Sequence, residues 1–327
     1  MPGFYRDHEN WTKYSRFERL GILSIESALV GVEVDPMSDR VLVLLSTTKG
    51  NIELLESSEN SKEQLQLSYS ANMIASYFGH PNKPIVISNA CISGVLSLLV
   101  ANRMLASGDY DHAIVLGVDV LSDFVLSGFQ SLNAMSPLPC KPFDKDRKGI
   151  SLGEASGTVI ISREAPQNLP WPFVKIVGGG LSNDANHISG PSKTGKELAL
   201  AIKSALQEAN VEPSGIDLVS AHGTGTLFND EMESKAFHIA QIADAPMNSL
   251  KGSIGHTLGA AGIVESIMTV HGLIHDEVLP TVGFEKLGVS QPLNISSSCR
   301  NGEYKVALKT ASGFGGCNAA IVFQKQS

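Results

Sequence analysis

The sequence predicts an α/β fold assembled from two similar halves. Three observations carry this reading. Strand-like apolar runs alternate with segments of helical spacing. In each half a helix, a connector and an apolar strand lead to a chemically useful residue, Cys91 in the first and His222 in the second. Over 327 residues, 43% apolar against 18% charged positions is ordinary for a globular protein and enough for a large core.

In chain order, Phe17-Glu18-Arg19-Leu20 leads a helix, and Arg40 to Leu45 reads as a buried strand. Gln64 to Phe78 reads as a helix. A strand over Pro84 to Asn89 then runs into Cys91. Ile92 to Ala106 is apolar on most sides, which places that helix in the core, and Gly108 fits its stop. His112 to Val118 is a second buried strand. Prolines 166, 170 and 172 mark the nearest boundary, so the halves divide as residues 1–165 and 166–327.

In the second half, Leu198, Ile202, Ala205, Leu206 and Ala209 recur at helical spacing. A connector with Pro213 and Gly215 follows, then a strand from Ile216 to Ser220. Leu258 to Ile274 reads as a helix. Lys305 to Thr310 and Ala319 to Phe323 read as a hairpin around Gly313-Phe314-Gly315-Gly316.

Composition excludes several classes. A net charge of −8 argues against a nucleic-acid surface. No apolar stretch reads as long enough for a membrane span, and Met1 to His8 lacks a signal-peptide pattern. Cys91, Cys140, Cys299 and Cys317 are scattered, without metal-ligand spacing, so a reduced cytoplasmic protein with no metal site is expected.

Cys91 is the leading chemical candidate. At a strand end that opens a helix, free N–H groups and the positive end of the helix dipole favour thiolate over thiol. Gly94 keeps the next turn slim for an approaching substrate. A buried inert thiol is the competing reading. His222-Gly223-Thr224-Gly225-Thr226 combines an imidazole, tight glycine turns and hydroxyls. His256 closes the second motif, Lys251-Gly252-Ser253-Ile254-Gly255-His256. Alone, Lys251 reads as a solvated amine. Gly190 to Lys196 mimics a phosphate-binding loop, but Glu197 stands where Ser or Thr is needed and no strand precedes it.

Together these pieces resemble the β-ketoacyl-ACP synthases, the elongating condensing enzymes of the thiolase superfamily. The matching motifs are Asn89 to Gly94, Lys141 to Arg147 with Gly153-Glu154, His222 to Thr226 with Asp230 and Glu233, Lys251 to His256 with Glu265, and Gly313 to Asn318. The resemblance implies a five-layered αβαβα fold and a homodimer or related heterodimer. It also implies no bound cofactor, with substrates carried on the phosphopantetheine of acyl carrier protein.

Residue roles follow from the same resemblance. Cys91 accepts the acyl group, and His222 and His256 stabilise the malonyl-derived enolate. Lys251 pairs with Glu265. Backbone N–H groups of Cys91 and Phe314 form an oxyanion hole, Thr224 and Thr226 bind the phosphopantetheine arm, and Phe314 with Phe129 gates the acyl pocket. The run Lys141, Lys145, Arg147, Lys148 is a candidate carrier-docking patch, or a solvated loop. The context of Cys91 resembles synthases of polyene pigment clusters.

The chain also departs from the family. The opening strand and its Gly-rich turn are not found, which leaves a sheet edge expected to be unpaired. Thr310-Ala311-Ser312 replaces an Asn-Ser-Phe type sequence, and a glycine usual beside Gly153 to Gly157 is missing. Two other readings stay open. One is a chain-length-factor-like partner subunit without catalysis, and the other is a degradative thiolase using Cys317 as base.

Overall fold

The structure, a computed structural model, describes residues 11–56, 61–165, 172–185 and 189–326. The first part of the chain runs α1 (Arg16–Leu29), β1 (Val41–Ser46), α2 (Leu67–Tyr77), β2 (Ile85–Ile87), α3 (Ser93–Ala106), β3 (His112–Asp119), α4 (Asp123–Ser131) and β4 (Ala155–Ser162). The second runs β5 (Val174–Asn183), α5 (Lys196–Ala209), β6 (Leu218–Ser220), α6 (Leu227–Ile239), β7 (Met247–Asn248), α7 (Lys251–Ile254) and α8 (Ala261–His275). It closes with β8 (Glu277–Val278), β9 (Arg300–Asn301), β10 (Val306–Ser312) and β11 (Cys317–Lys325). Residues 166–171 of the sequence-marked boundary lie outside those described.

Local chemistry sets several helix starts. Ser15 and Glu18 form a reciprocal capping box on α1. Ser122 caps α4, and Thr226 caps α6 by accepting from the Asn229 N–H. All six residues of β1 are buried, as its unbroken apolar run requires of a strand covered on both faces.

Two sheets organise the molecule. The first has the order β2-β1-β3-β4 and the second β5-β11-β10-β6-β7. In both, parallel strands give way to an antiparallel pair, β3 with β4 and β10 with β11. Helices α1 and α2 cover the outer face of the first sheet, and α5 and α6 that of the second. Helices α3 and α8 lie between the sheets, which gives five layers, αβαβα. Three apolar clusters fill the interlayer spaces; the central one joins α3, α8 and both sheets.

The alignment of the sheets exposes one difference. β5 pairs antiparallel along β11, whereas β4 ends its sheet with no strand paired to its other flank among the described residues. The expected unpaired edge is therefore the flank of β4. A hollow of about 520 Å³ runs beside it, lined by Val159, Ile161, Ile267, Val270, Ile274 and Phe323 among others.

Three sequence expectations need correction. Leu258–His275 does reach the length of a membrane span, with a mean hydropathy of 1.2. It is the central helix α8 with its lead-in turn, 61% buried between the sheets, and its apolarity on all sides is that of a core helix. Gly94 does not keep space for substrate. A Cβ there would lie 2.6 Å from the Ile263 nitrogen, and one on Gly262 would lie 2.4 Å from the Val95 nitrogen. The two glycines let α3 and α8 cross in backbone contact. Finally, a strand does precede Gly190 to Lys196, but β5 ends at Asn183, and Gly195 packs against α6.

Candidate active site

The loops that follow the strands bring the chemical residues together. Cys91 sits between β2 and α3, after Ala90 at a φ of 45°, a strained value for a residue with a side chain. His222 follows β6, and His256 follows α7. Sγ of Cys91 and a ring nitrogen from each histidine all lie within 4.8 Å of one another, and all three residues are buried. The two imidazoles meet edge to face at 5.2 Å. Cys91, His222 and His256 line a cavity of about 400 Å³ with Thr224, Thr226, Phe129, Ser312 and Phe314.

Hydrogen bonds decide which ring nitrogen carries each proton. Lys251 Nζ donates to the His222 carbonyl at 2.6 Å and lies 3.2 Å from His222 Nδ1. The Leu258 N–H donates to His256 Nδ1 at 3.1 Å, from a residue held at a φ of 55°. Burial and the charges of Lys251 and Lys309 depress both imidazoles well below the ordinary histidine value. Each ring is therefore neutral with Nδ1 accepting, so each keeps its proton on Nε2. Nε2 of His256 is buried and has no hydrogen-bond partner. Two N–H donors and a thiol thus converge on one space. Metal-ligating histidines show the opposite arrangement, in which the far nitrogen donates.

Cys91 departs from expectation. Burial pushes its thiol up to about 12, against the opposing pull of Lys251 and a hydrogen bond from the Phe314 backbone N–H. The resting group is a thiol, because desolvation outweighs the start of α3. Gly313 brings the Phe314 turn close: a Cβ on it would lie 3.0 Å from the Cys91 nitrogen and 2.9 Å from Cys317 Sγ. The Phe129 and Phe314 rings stack at 5.8 Å over the cavity. Ser312 is buried and donates to Asn318 Oδ1.

Lys251 and Glu265 lie behind the histidines, out of the cavity, 2.5 Å apart and fully buried. The surface-amine reading of Lys251 is thereby overturned. Thr224 and Thr226 share a hydroxyl contact of 2.8 Å, and Thr226 is at once the cap of α6.

Several supporting residues had no role assigned from sequence. Asp230 and Glu233, one turn apart on α6, hold the His222 loop by its backbone. Glu233 accepts from the N–H groups of His222 and Gly223, and Asp230 from those of Thr224, Gly225 and Phe143. Burial and the neighbouring Asp230 push Glu233 up to about 7. Asp119, at the end of β3, ties Thr47, Thr48 and the Gly259 turn together. Lys309 on β10 lies 2.6 Å from Glu265 Oε2. Its signal was available: a lysine flanked by Val306-Ala307-Leu308 and Thr310-Ala311, in the middle of a strand-like run.

The basic loop is mostly structural. Arg147 is buried against carbonyls of Asp144, Gly288 and Thr226, and Lys141 faces Glu285. Lys145 and Lys148 remain exposed.

Comparison with known proteins accords with this geometry. Residues 2–167 match the family described as "Beta-ketoacyl synthase, N-terminal domain", and residues 173–285 match "Beta-ketoacyl synthase, C-terminal domain". The 3-oxoacyl-[acyl-carrier-protein] synthase 2 of Vibrio cholerae is 32% identical over 93% of this chain and 80% of its own. Among solved structures, a chain of the complex between a ketosynthase (ApeO) and its chain length factor (ApeC) from Xenorhabdus doucetiae is similar at a TM-score of 0.84. It is 28% identical, over 95% of this chain and 82% of that one. The ishigamide ketosynthase/chain length factor aligns with all of this chain and 86% of its own, at a TM-score of 0.88 and 26% identity. The chain belongs to the β-ketoacyl synthase family, within the thiolase superfamily. It is a condensing enzyme of fatty-acid or polyketide synthesis, an acyltransferase of the elongating type.

Proposed function

We propose that this chain joins an acyl group held on Cys91 to a malonyl unit carried on acyl carrier protein. One observation carries the assignment: two neutral imidazoles, tautomers set by Lys251 and the Leu258 N–H, converge with the Cys91 thiol.

In the first half-reaction Cys91 Sγ attacks the acyl thioester. The new S–C bond forms as the carrier's S–C bond breaks, and the Cys91 proton goes to the departing thiol. N–H groups of Cys91 and Phe314 stabilise the tetrahedral oxyanion. In the second, malonyl thioester enters and loses carbon dioxide. Nε2–H groups of His222 and His256 stabilise the enolate at its thioester oxygen. The carbanion attacks the acyl carbon, the Cys91 S–C bond breaks, and the departing thiolate takes a proton from water.

Lys251 and Glu265 hold the tautomers, Thr224 and Thr226 bind the phosphopantetheine arm, and Phe129 and Phe314 gate the acyl pocket. No resident cofactor takes part. The division into 1–165 and 166–327 sets the nucleophile and the histidines on separate halves. Acyl carrier protein and a related synthase subunit are the partners. Support comes from similar solved structures that pair a ketosynthase with a chain length factor, and from relatives named for the acyl carrier protein they act on.

The test is intact-protein mass after incubation with acyl-ACPs of several lengths, beside Cys91→Ala. The expected result is a gain equal to the acyl group, lost in the variant. No adduct on folded, dimeric wild type at any length would sink the catalytic reading and leave the partner-subunit one.

A further inference from the structure

We propose that Lys309 is a positioning residue for condensation: by holding the far oxygen of Glu265, it keeps Lys251 aimed at His222 and keeps the histidine pair as neutral donors. This rests on the site reading above. All seven residues of β10 are buried, and Lys309 is 0% exposed. A buried ammonium is costly unless it is fully partnered. Lys309 has such partners, with Nζ donating to Thr310 O at 2.7 Å, Ala221 O at 3.3 Å and Ser220 O at 3.4 Å. Ser220 and Ala221 are the two residues before His222. The same Nζ faces Glu265 Oε2 at 2.6 Å, while Lys251 takes Oε1 at 2.5 Å.

The arrangement is a cation–anion–cation row, in which the Lys309 N–H bonds go to carbonyls and its charge meets Glu265 as an ion pair. The ion pair of Glu265 Oε2 with Lys309 opposes rotation of the carboxylate away from Lys251. Lys251 has three N–H bonds to give, and they go to Glu265, the His222 carbonyl and His222 Nδ1. Two lysines against one carboxylate leave surplus positive charge behind the imidazoles. That surplus opposes protonation of either ring and favours the negative enolate on their far side.

The charges that act on the two imidazoles are those of the lysines, while the nearby carboxylates are engaged by backbone N–H groups. His222 and His256 face one another and Cys91, with Lys251 and Lys309 behind. Glu265 meets them through the two lysines. Glu233 accepts from the His222 N–H, Asp230 lies beyond it, and Asp119 holds the turn after His256. Removing Lys309 takes away a charge that depresses both imidazoles and one that depresses Glu265. All three then protonate at higher pH, so the acid limb of activity moves upward.

The experiment compares wild type and Lys309→Met in two half-reactions across pH: acylation of Cys91 by mass, and decarboxylation of malonyl-ACP. The expected result is a fall in decarboxylation of about tenfold at neutral pH. Acylation should fall by less, and the acid limb should rise by about one pH unit. Lys309→Arg should restore part of both. A folded Lys309→Met enzyme with unchanged limb and rates overturns the proposal and leaves Lys309 a structural cation. If Lys309→Met does not fold, Lys309→Met/Glu265→Gln is compared with Glu265→Gln. The double variant should then show the higher limb, and coincident limbs overturn the proposal. Wild type that never acylates Cys91 overturns the site reading and this inference together.

Discussion

Gly94 and Gly262 face each other where α3 crosses α8, and neither leaves room for a Cβ on the other. This contact sets the depth of α3, and so of Cys91 at its head. Gly94→Ala must push the helices apart and is expected to destabilise the fold by about 1–3 kcal/mol through overpacking. Acyl transfer should fall with it. Thermal unfolding and acylation rate measured together check this; a stable variant with wild-type acylation would break the link.

Lys251 holds the His222 tautomer. Lys251→Met removes the donor at Nδ1, so the ring can carry its proton there and turn Nε2 into an acceptor. Malonyl-ACP decarboxylation should fall about 10²–10³-fold. Single-turnover carbon dioxide release is the measurement, and a loss confined to KM would contradict the assignment.

The resting thiol of Cys91 makes an alkylation prediction. With the group pushed up to about 12, iodoacetamide modification should keep climbing about tenfold per pH unit well beyond pH 9. Lys251→Met should slow it further, since the lysine's charge favours thiolate. A plateau near pH 8 would mean that the helix start dominates after all.

Glu233 ties stability to pH. Its folded value, about 7, lies above the ordinary 4.5, so the native state holds a proton that the unfolded chain releases. The contribution is present below pH 4.5 and is lost as pH rises through 7. Glu233→Gln removes that slope and also turns an amide N–H toward backbone donors, at about 1–3 kcal/mol. Melting temperature across pH 5 to 8 should fall less steeply in the variant than in wild type.

Much of this was readable in advance because apolar periodicity and glycine-bordered turns are local signals. β1, β3, α3, α5 and the β10–β11 hairpin follow from runs of side chains, and Cys91, His222 and His256 from their turns. What was missed depends on contacts between distant segments. Gly94 cannot be understood without Gly262, nor Lys309 without Glu265. The thiolate expected at Cys91 rested on the adjacent helix alone, whereas the depth of burial comes from the second sheet and the Phe314 turn.

The flank of β4, which carries no paired strand among the described residues, has a practical consequence. Its outward N–H and C=O groups border an apolar hollow, so a flexible stretch of polypeptide that reaches it gains main-chain bonds and a greasy seat at once. Concentrated samples of this chain should therefore become sticky along one seam, at a rate unaffected by Cys91→Ala. A single lysine or proline on that seam should improve handling more than any change near the catalytic cavity.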